Sequence, residues 1–198
     1  MIRIVLSDRT FEYDVRSLTK VFFKNEDMEV VDIDSDCDEA EFTFKVFTSL
    51  DEIKLEIYNK EKDINNEVKE NISSKIENTP NELEYKAKYK NILKRLIYRL
   101  LSETLDIVLP WGTLTGIRPS KIVYEQLEKN SSDDEIRIFM KETYLADDDK
   151  IELALEIAHR EKYILEDIDY KNGYSLYIGI PFCPTRCSYC SFTSYPLE

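Results

Sequence analysis

Apolar and polar positions recur along this chain at two periods, and the changes between them predict its elements. Residues 2–7 are rich in Ile, Val and Leu and predict a strand; Val15, Leu18, Val21 and Phe22 then recur at helical spacing behind Asp14, a residue suited to capping. Val30, Val31 and Ile33 predict a second strand. Phe42, Phe44 and Val46 alternate with polar neighbours, and Ile53, Leu55 and Ile57 do so again after Ser49-Leu-Asp-Glu52, a connection of hairpin length. Residues 1–58 therefore predict a small α+β domain, a half-buried sheet with one helix.

From 59 to 80 the chain is polar, with Asn65, Asn66, Asn71, Ser73 and Ser74, and predicts a linker with room for a frayed helix. Pro80-Asn-Glu-Leu83 opens a long helix that runs to about Leu105, with Tyr89, Leu93, Leu96, Ile97, Leu100 and Leu101 along one face. Its other face carries Lys86, Lys88, Lys90, Lys94, Arg95 and Arg99. Such a face is ordinarily solvated and paired with acidic surroundings; its sharper reading is contact with an anion or RNA. Helices are also predicted over Ser120–Leu127, Asp133–Tyr144 and Asp147–Leu165, with His159 at a solvated position of the last. Residues 81–173 thus read as a helical connector. A turn at Tyr170-Lys-Asn-Gly173 leads into a predicted strand, Tyr174–Ile180, and Pro181 ends its pairing.

The connector holds one shaped loop, Leu109-Pro-Trp-Gly-Thr-Leu-Thr-Gly-Ile-Arg-Pro-Ser-Lys121, with the chain's only Trp and two of its four Gly. Read plainly, it is a tight turn anchored by Trp111. Read functionally, Gly112 and Gly116 let backbone approach a ligand, while Arg118 and Lys121 meet a carboxylate or phosphate near a helix start.

With 198 residues, 42% of them hydrophobic, the chain can bury a real core. No run approaches the roughly 18 apolar residues that span a bilayer, and the start lacks the apolar core of a secretory signal, so a cytoplasmic setting is expected. The formal charge of −13 repels phosphate backbones, which argues against nucleic acid as the main partner.

The cysteines add the chemistry. Cys183, Cys187 and Cys190 follow the pattern Cys-x3-Cys-x2-Cys, a spacing that suits a metal site far better than a disulfide framework. Cys37 stands alone in Asp32-Ile-Asp-Ser-Asp-Cys-Asp-Glu39, where surrounding negative charge disfavours a thiolate. A structural zinc site wants four ligands, usually as two pairs, and no convincing fourth ligand lies near the triplet. A four-iron four-sulfur cluster normally takes four thiolates, so three would leave one iron open to a small molecule.

This triplet resembles the signature of the radical S-adenosylmethionine enzymes. Tyr177-Ile-Gly-Ile-Pro-Phe-Cys183 is similar to the Tyr-x-His-Ile-Pro-Phe-Cys opening of the oxygen-independent coproporphyrinogen III oxidases, or coproporphyrinogen dehydrogenases. Together with Trp111-Gly-Thr-Leu-Thr-Gly-Ile-Arg-Pro119, the chain looks most like their HemZ-type branch. The resemblance implies a 4Fe-4S cluster on Cys183, Cys187 and Cys190. It also implies S-adenosylmethionine (SAM) held by the open iron, with Tyr177 and Tyr189 in contact with it. No catalytic residue is implied beyond the cluster. The implied reaction is oxidative decarboxylation of coproporphyrinogen III propionates to the vinyl groups of protoporphyrinogen IX in heme biosynthesis. Its partners would be the porphyrinogen and a cytosolic electron donor.

Within that resemblance, Arg118 and Lys121 are expected partners for substrate propionates. Two departures weigh against simple transfer of the activity: the family's His is Gly179 here, and a cysteine that some members carry is Phe192. Related heme chaperones share the Ile-Pro-Phe-Cys core and also lack that cysteine, so a heme-binding protein is one alternative. An RNA-modifying radical enzyme, suggested by the basic helix, is another. The resemblance further implies a (β/α) barrel of which residues 174–198 hold only the first strand and cluster loop. On that expectation the chain is the N-terminal portion of a longer enzyme and is inactive alone.

Overall fold

The computed structural model describes residues 1–33, 40–59, 61–76, 79–169 and 172–195. Cys37, Tyr170 and Lys171 of the expected turn, and the closing Leu197-Glu198 lie outside the described residues. The chain divides into two units, Met1–Arg160 and Glu161–Glu198.

The first unit is mixed α+β, as expected, with a five-stranded sheet. Strand β1 (Ile2–Leu6) is buried along its whole length and has a strand on each side. It pairs in parallel with β2 (Met28–Asp32) and with β3 (Phe42–Thr48), Ile4 lying opposite Val30 and Phe44. Helix α1 (Glu12–Phe22) makes the β1-to-β2 crossover that parallel pairing requires. Strand β4 (Glu52–Asn59) turns back antiparallel, and β5 (Ile64–Asn71) closes the order β2-β1-β3-β4-β5. Phe42, Phe44, Val46, Ile53, Leu55 and Ile57 fill one face, where the alternation placed them.

Strand β5 lies inside the stretch 59–80 that the polar composition predicted as a linker, so that expectation is corrected. An edge strand needs few apolar positions: only Ile64 and Val68 face the core, and Val68 pairs with Leu55. Asn66 donates to Thr104 Oγ1 of the following long helix at 3.0 Å, and on the water-facing side Lys69 meets Glu52 at 2.7 Å and Glu67 meets Lys54 at 3.4 Å. The short α2 (Ser73–Ile76) follows, anchored by buried Ile72 and Ile76.

The long helix α3 (Glu82–Leu105) starts at an Asn81 cap and ends at Asp106 in the left-handed region (φ 53°). Its expected stripe is buried, from Tyr89 to Leu101, and packs with α1 against the sheet. It therefore belongs to the sheet layer, although the pattern grouped it with the helical connector. Helices α4 (Pro119–Glu128), α5 (Asp133–Tyr144) and α6 (Asp148–Leu165) build a second hydrophobic cluster around Val123, Ile136, Met140 and Ala158. A capping box between Ser132 and Glu135 starts α5.

The glycine loop joins this cluster. Trp111 and Leu114 pack on it, Thr113 N donates to Tyr144 O at 2.8 Å, and Asp147 N donates to Pro110 O at 3.0 Å. Gly112 (φ +55°) lies so close to the α5–α6 turn that a Cβ there would stand 2.0 Å from Tyr144 O.

The second unit contains the end of α6 and the cysteine loop. The predicted strand Tyr174–Ile180 does not form; the extended pattern has no neighbouring strand among the described residues. Tyr174, Leu176, Ile178 and Ile180 are all exposed. A strand exists only through its ladder, and alternating composition cannot supply the partner.

Candidate metal centre

Pro181 and Tyr195 close the cysteine loop. Tyr195 N donates to Pro181 O at 2.7 Å, Cys183 N donates to Tyr195 O at 3.1 Å, and the rings of Phe182 and Tyr195 lie 6.0 Å apart. Within the loop, Cys190 N donates to Cys187 O at 3.0 Å, which turns the chain between the second and third thiols. All three cysteines are free thiols: Cys183 and Cys187 are exposed, and Cys190 is half-buried.

The donor set suits an iron–sulfur cluster in type, since soft thiolates are what such a cluster takes, and three of them leave one iron without a thiolate. The side chains themselves are not gathered. Among the described residues no three Cys, His, Asp or Glu groups stand together as a metal site.

Tyr177 and Tyr189 flank the thiols and are 83% and 88% exposed, open to a ligand and held by little. Gly179 lies under the Tyr177 ring, where a Cβ would come within 3.1 Å of Cε1. The glycine thus lets that ring fold against its own backbone, a contact that a histidine at 179 would crowd.

Arg118 and Lys121 lie in the first unit. Arg118 occupies the N-cap position of α4, and Lys121 reaches Glu125 at 3.9 Å, one helical turn on. Both are exposed. His159 is also exposed, with Nε2 2.9 Å from Asp133 Oδ1, in keeping with a solvated helix position.

The basic face of α3 is less uniform than its sequence suggests. Lys86 pairs with Glu82 at 2.6 Å, and Lys94 is buried. Lys94 Nζ donates to Thr115 Oγ1 at 3.2 Å, and that hydroxyl lies 3.3 Å from Ser17 Oγ. Burial pushes the Lys94 ammonium below its ordinary pKa, with Lys90 adding to the effect and Asp14 opposing it. Lys94 therefore ties the glycine loop to α1 and α3. Its position three residues before Ile97 and seven before Leu101 was the available signal.

Comparison with known proteins finds the "Oxygen-independent coproporphyrinogen-III oxidase-like protein HemZ" of Bacillus subtilis (strain 168). It is 39% identical over 110 residues, 55% of this chain and 22% of that protein. The chain thus spans about a fifth of its relative's length, and the likeness to the HemZ-type branch read from the motifs stands. No protein-family model matches. No solved structure matches either. Among the described residues no helix is long and apolar enough to cross a membrane.

Proposed function

We propose that this chain is part of a longer radical SAM enzyme of the coproporphyrinogen oxidase-like kind, acting in the cytoplasm on a porphyrinogen. The carrying observation is the loop of three free thiols, Cys183, Cys187 and Cys190, with no disulfide to compete for them. The HemZ relative supports it at family level. Cys183, Cys187 and Cys190 would hold a 4Fe-4S cluster, which when bound would supply a coordination site for SAM and an electron for its cleavage. Tyr177 and Tyr189, both exposed beside the thiols, would bind SAM through their rings. Arg118 and Lys121 would meet substrate carboxylates at the start of α4.

The proposed reaction is oxidative decarboxylation of two propionates of coproporphyrinogen III, each to a vinyl group and CO2; SAM, ending as methionine and 5'-deoxyadenosine, takes one hydrogen atom, an electron acceptor takes the substrate's remaining electron, and a cytosolic donor supplies the electron that cleaves SAM. This reading assigns turnover to the longer protein, because the chain spans 22% of its relative.

A heme-binding reading has its own support in Gly179 and Phe192, which stand where the coproporphyrinogen oxidases carry His and, in some members, Cys. Anaerobic assay of the longer, cluster-loaded protein with coproporphyrinogen III, beside a spectral titration with heme, separates the two. Protoporphyrinogen formation is expected. Tight heme binding without porphyrin product overturns the enzyme reading. An RNA-modifying role has less support now that Lys86 is paired and Lys94 buried.

A further inference from the structure

β1 and β3 are parallel neighbours whose chains leave in different directions. From β1 the chain passes through Arg9–Phe11 and α1 to β2; from β3 it passes through Ser49 and Leu50 into β4. Divergence of this kind opens a crevice beyond the carboxyl ends of the strands, the usual place for a ligand in an open sheet. Here the first turns of α3 wall the crevice and leave a cleft of about 280 Å³. That is at the small end for ligand pockets, which begin near ~300 Å³, so its occupant is small.

Beside the cleft the two strand ends are joined by hydrogen bonds, Ser7 N to Val46 O at 3.0 Å and Thr48 N to Ser7 Oγ at 2.9 Å. The walls are aromatic: Phe11 stacks on Tyr89 with centroids 5.0 Å apart, and Tyr85 lies 6.1 Å from Tyr89. Leu50, 78% exposed, forms the lip.

The polar atoms on this surface are mostly acceptors. Tyr89 donates its hydroxyl hydrogen to Ser49 O at 3.0 Å, and burial, with Tyr85 adding to it, pushes its pKa up to about 12. The hydroxyl stays protonated with its hydrogen committed, so it offers the cleft lone pairs. Thr48 Oγ1 is enclosed beside the Tyr89 hydroxyl. The Asp8 carboxylate takes Thr10 N at 3.0 Å and Thr10 Oγ1 at 2.9 Å on Oδ1 alone. The lining cation, Lys86, is drawn to Glu82.

We propose that this cleft binds a small primary organic ammonium, its head on Asp8 and its apolar body against Phe11, Tyr85, Tyr89 and Leu50. Ring faces and a carboxylate attract such a cation and disfavour a carboxylate or phosphate of the same shape. The site uses no residue of the cysteine loop and does not depend on the radical-enzyme reading.

The test is titration of the 198-residue chain, followed by calorimetry and amide NMR, with 2-phenylethylammonium and with its anionic counterpart 3-phenylpropionate. Saturable binding of the ammonium is expected at a Kd of about 1 mM, reasonable for so small a ligand, with none for the carboxylate. Asp8→Asn keeps an acceptor for Thr10 N and should weaken binding about tenfold, as removal of one charge contact does. Leu50→Lys should weaken it similarly by like charge, and its exposure carries the test should Asp8→Asn lower the melting temperature. No saturable ammonium binding overturns the proposal. So does equal binding of the carboxylate, or unchanged affinity in a folded Asp8→Asn or Leu50→Lys protein.

Discussion

Gly112 and Gly116 belong to one motif and share a left-handed backbone (φ +55° and +66°), yet alanine at the two positions should have different consequences. An L side chain in this region costs about 1–2 kcal/mol at either site. At Gly116 that is the whole effect, because the nearest atom to a new Cβ is Tyr13 Oη at 3.5 Å. At Gly112 the Cβ would overlap Tyr144 O at 2.0 Å and Leu145 O at 2.4 Å, both backbone atoms. The overlap is relieved only by withdrawing the loop, which gives up the Thr113–Tyr144 and Pro110–Asp147 hydrogen bonds. Each is worth roughly 1 kcal/mol. Gly112→Ala should therefore lose about 3–4 kcal/mol and Gly116→Ala about 1–2. Urea unfolding at constant m measures both. Equal losses, or a Gly112→Ala protein as stable as the parent, would refute the claim that the loop is fastened to the α5–α6 turn.

Two further outcomes follow from buried or misread positions. Burial depresses the pKa of Lys94, so its charge opposes folding below the folded-state pKa, and that penalty fades as pH rises through this value toward the unfolded ~10.4. The stability of Lys94→Met relative to the parent should be greatest near neutral pH and fall as pH rises toward 10; a relative stability that rises with pH contradicts the assignment. Amide exchange should protect alternate positions of β5 (Ile64–Asn71), through their bonds to β4, whereas a linker would exchange at random-coil rates throughout.

Much of the first unit was legible because its patterns are strong. The Phe42–Val46 and Ile53–Ile57 alternations and the α3 stripe each face one core, so periodicity alone places them. β5 was not legible, since an edge strand with two inward apolar residues looks like any polar connection. Lys94 was misplaced because residue type outweighed its spacing to Ile97 and Leu101. The cysteine triplet is legible from spacing, whereas gathering three thiols around one point depends on chemistry that spacing does not encode. The β1–β3 cleft had no signal in the sequence, as it arises from the strand order.

Anaerobic reconstitution with iron and sulfide identifies the thiols that hold the cluster. Iron content and the paramagnetic resonance of the reduced protein would be compared across single Cys→Ala variants, with and without SAM. About four irons per chain and a spectrum altered by SAM are expected. Cys183→Ala, Cys187→Ala and Cys190→Ala should each lose the cluster, while Cys37→Ala keeps it. Equal loss in Cys37→Ala, or a spectrum indifferent to SAM, would overturn the assignment of a SAM-binding cluster to Cys183, Cys187 and Cys190.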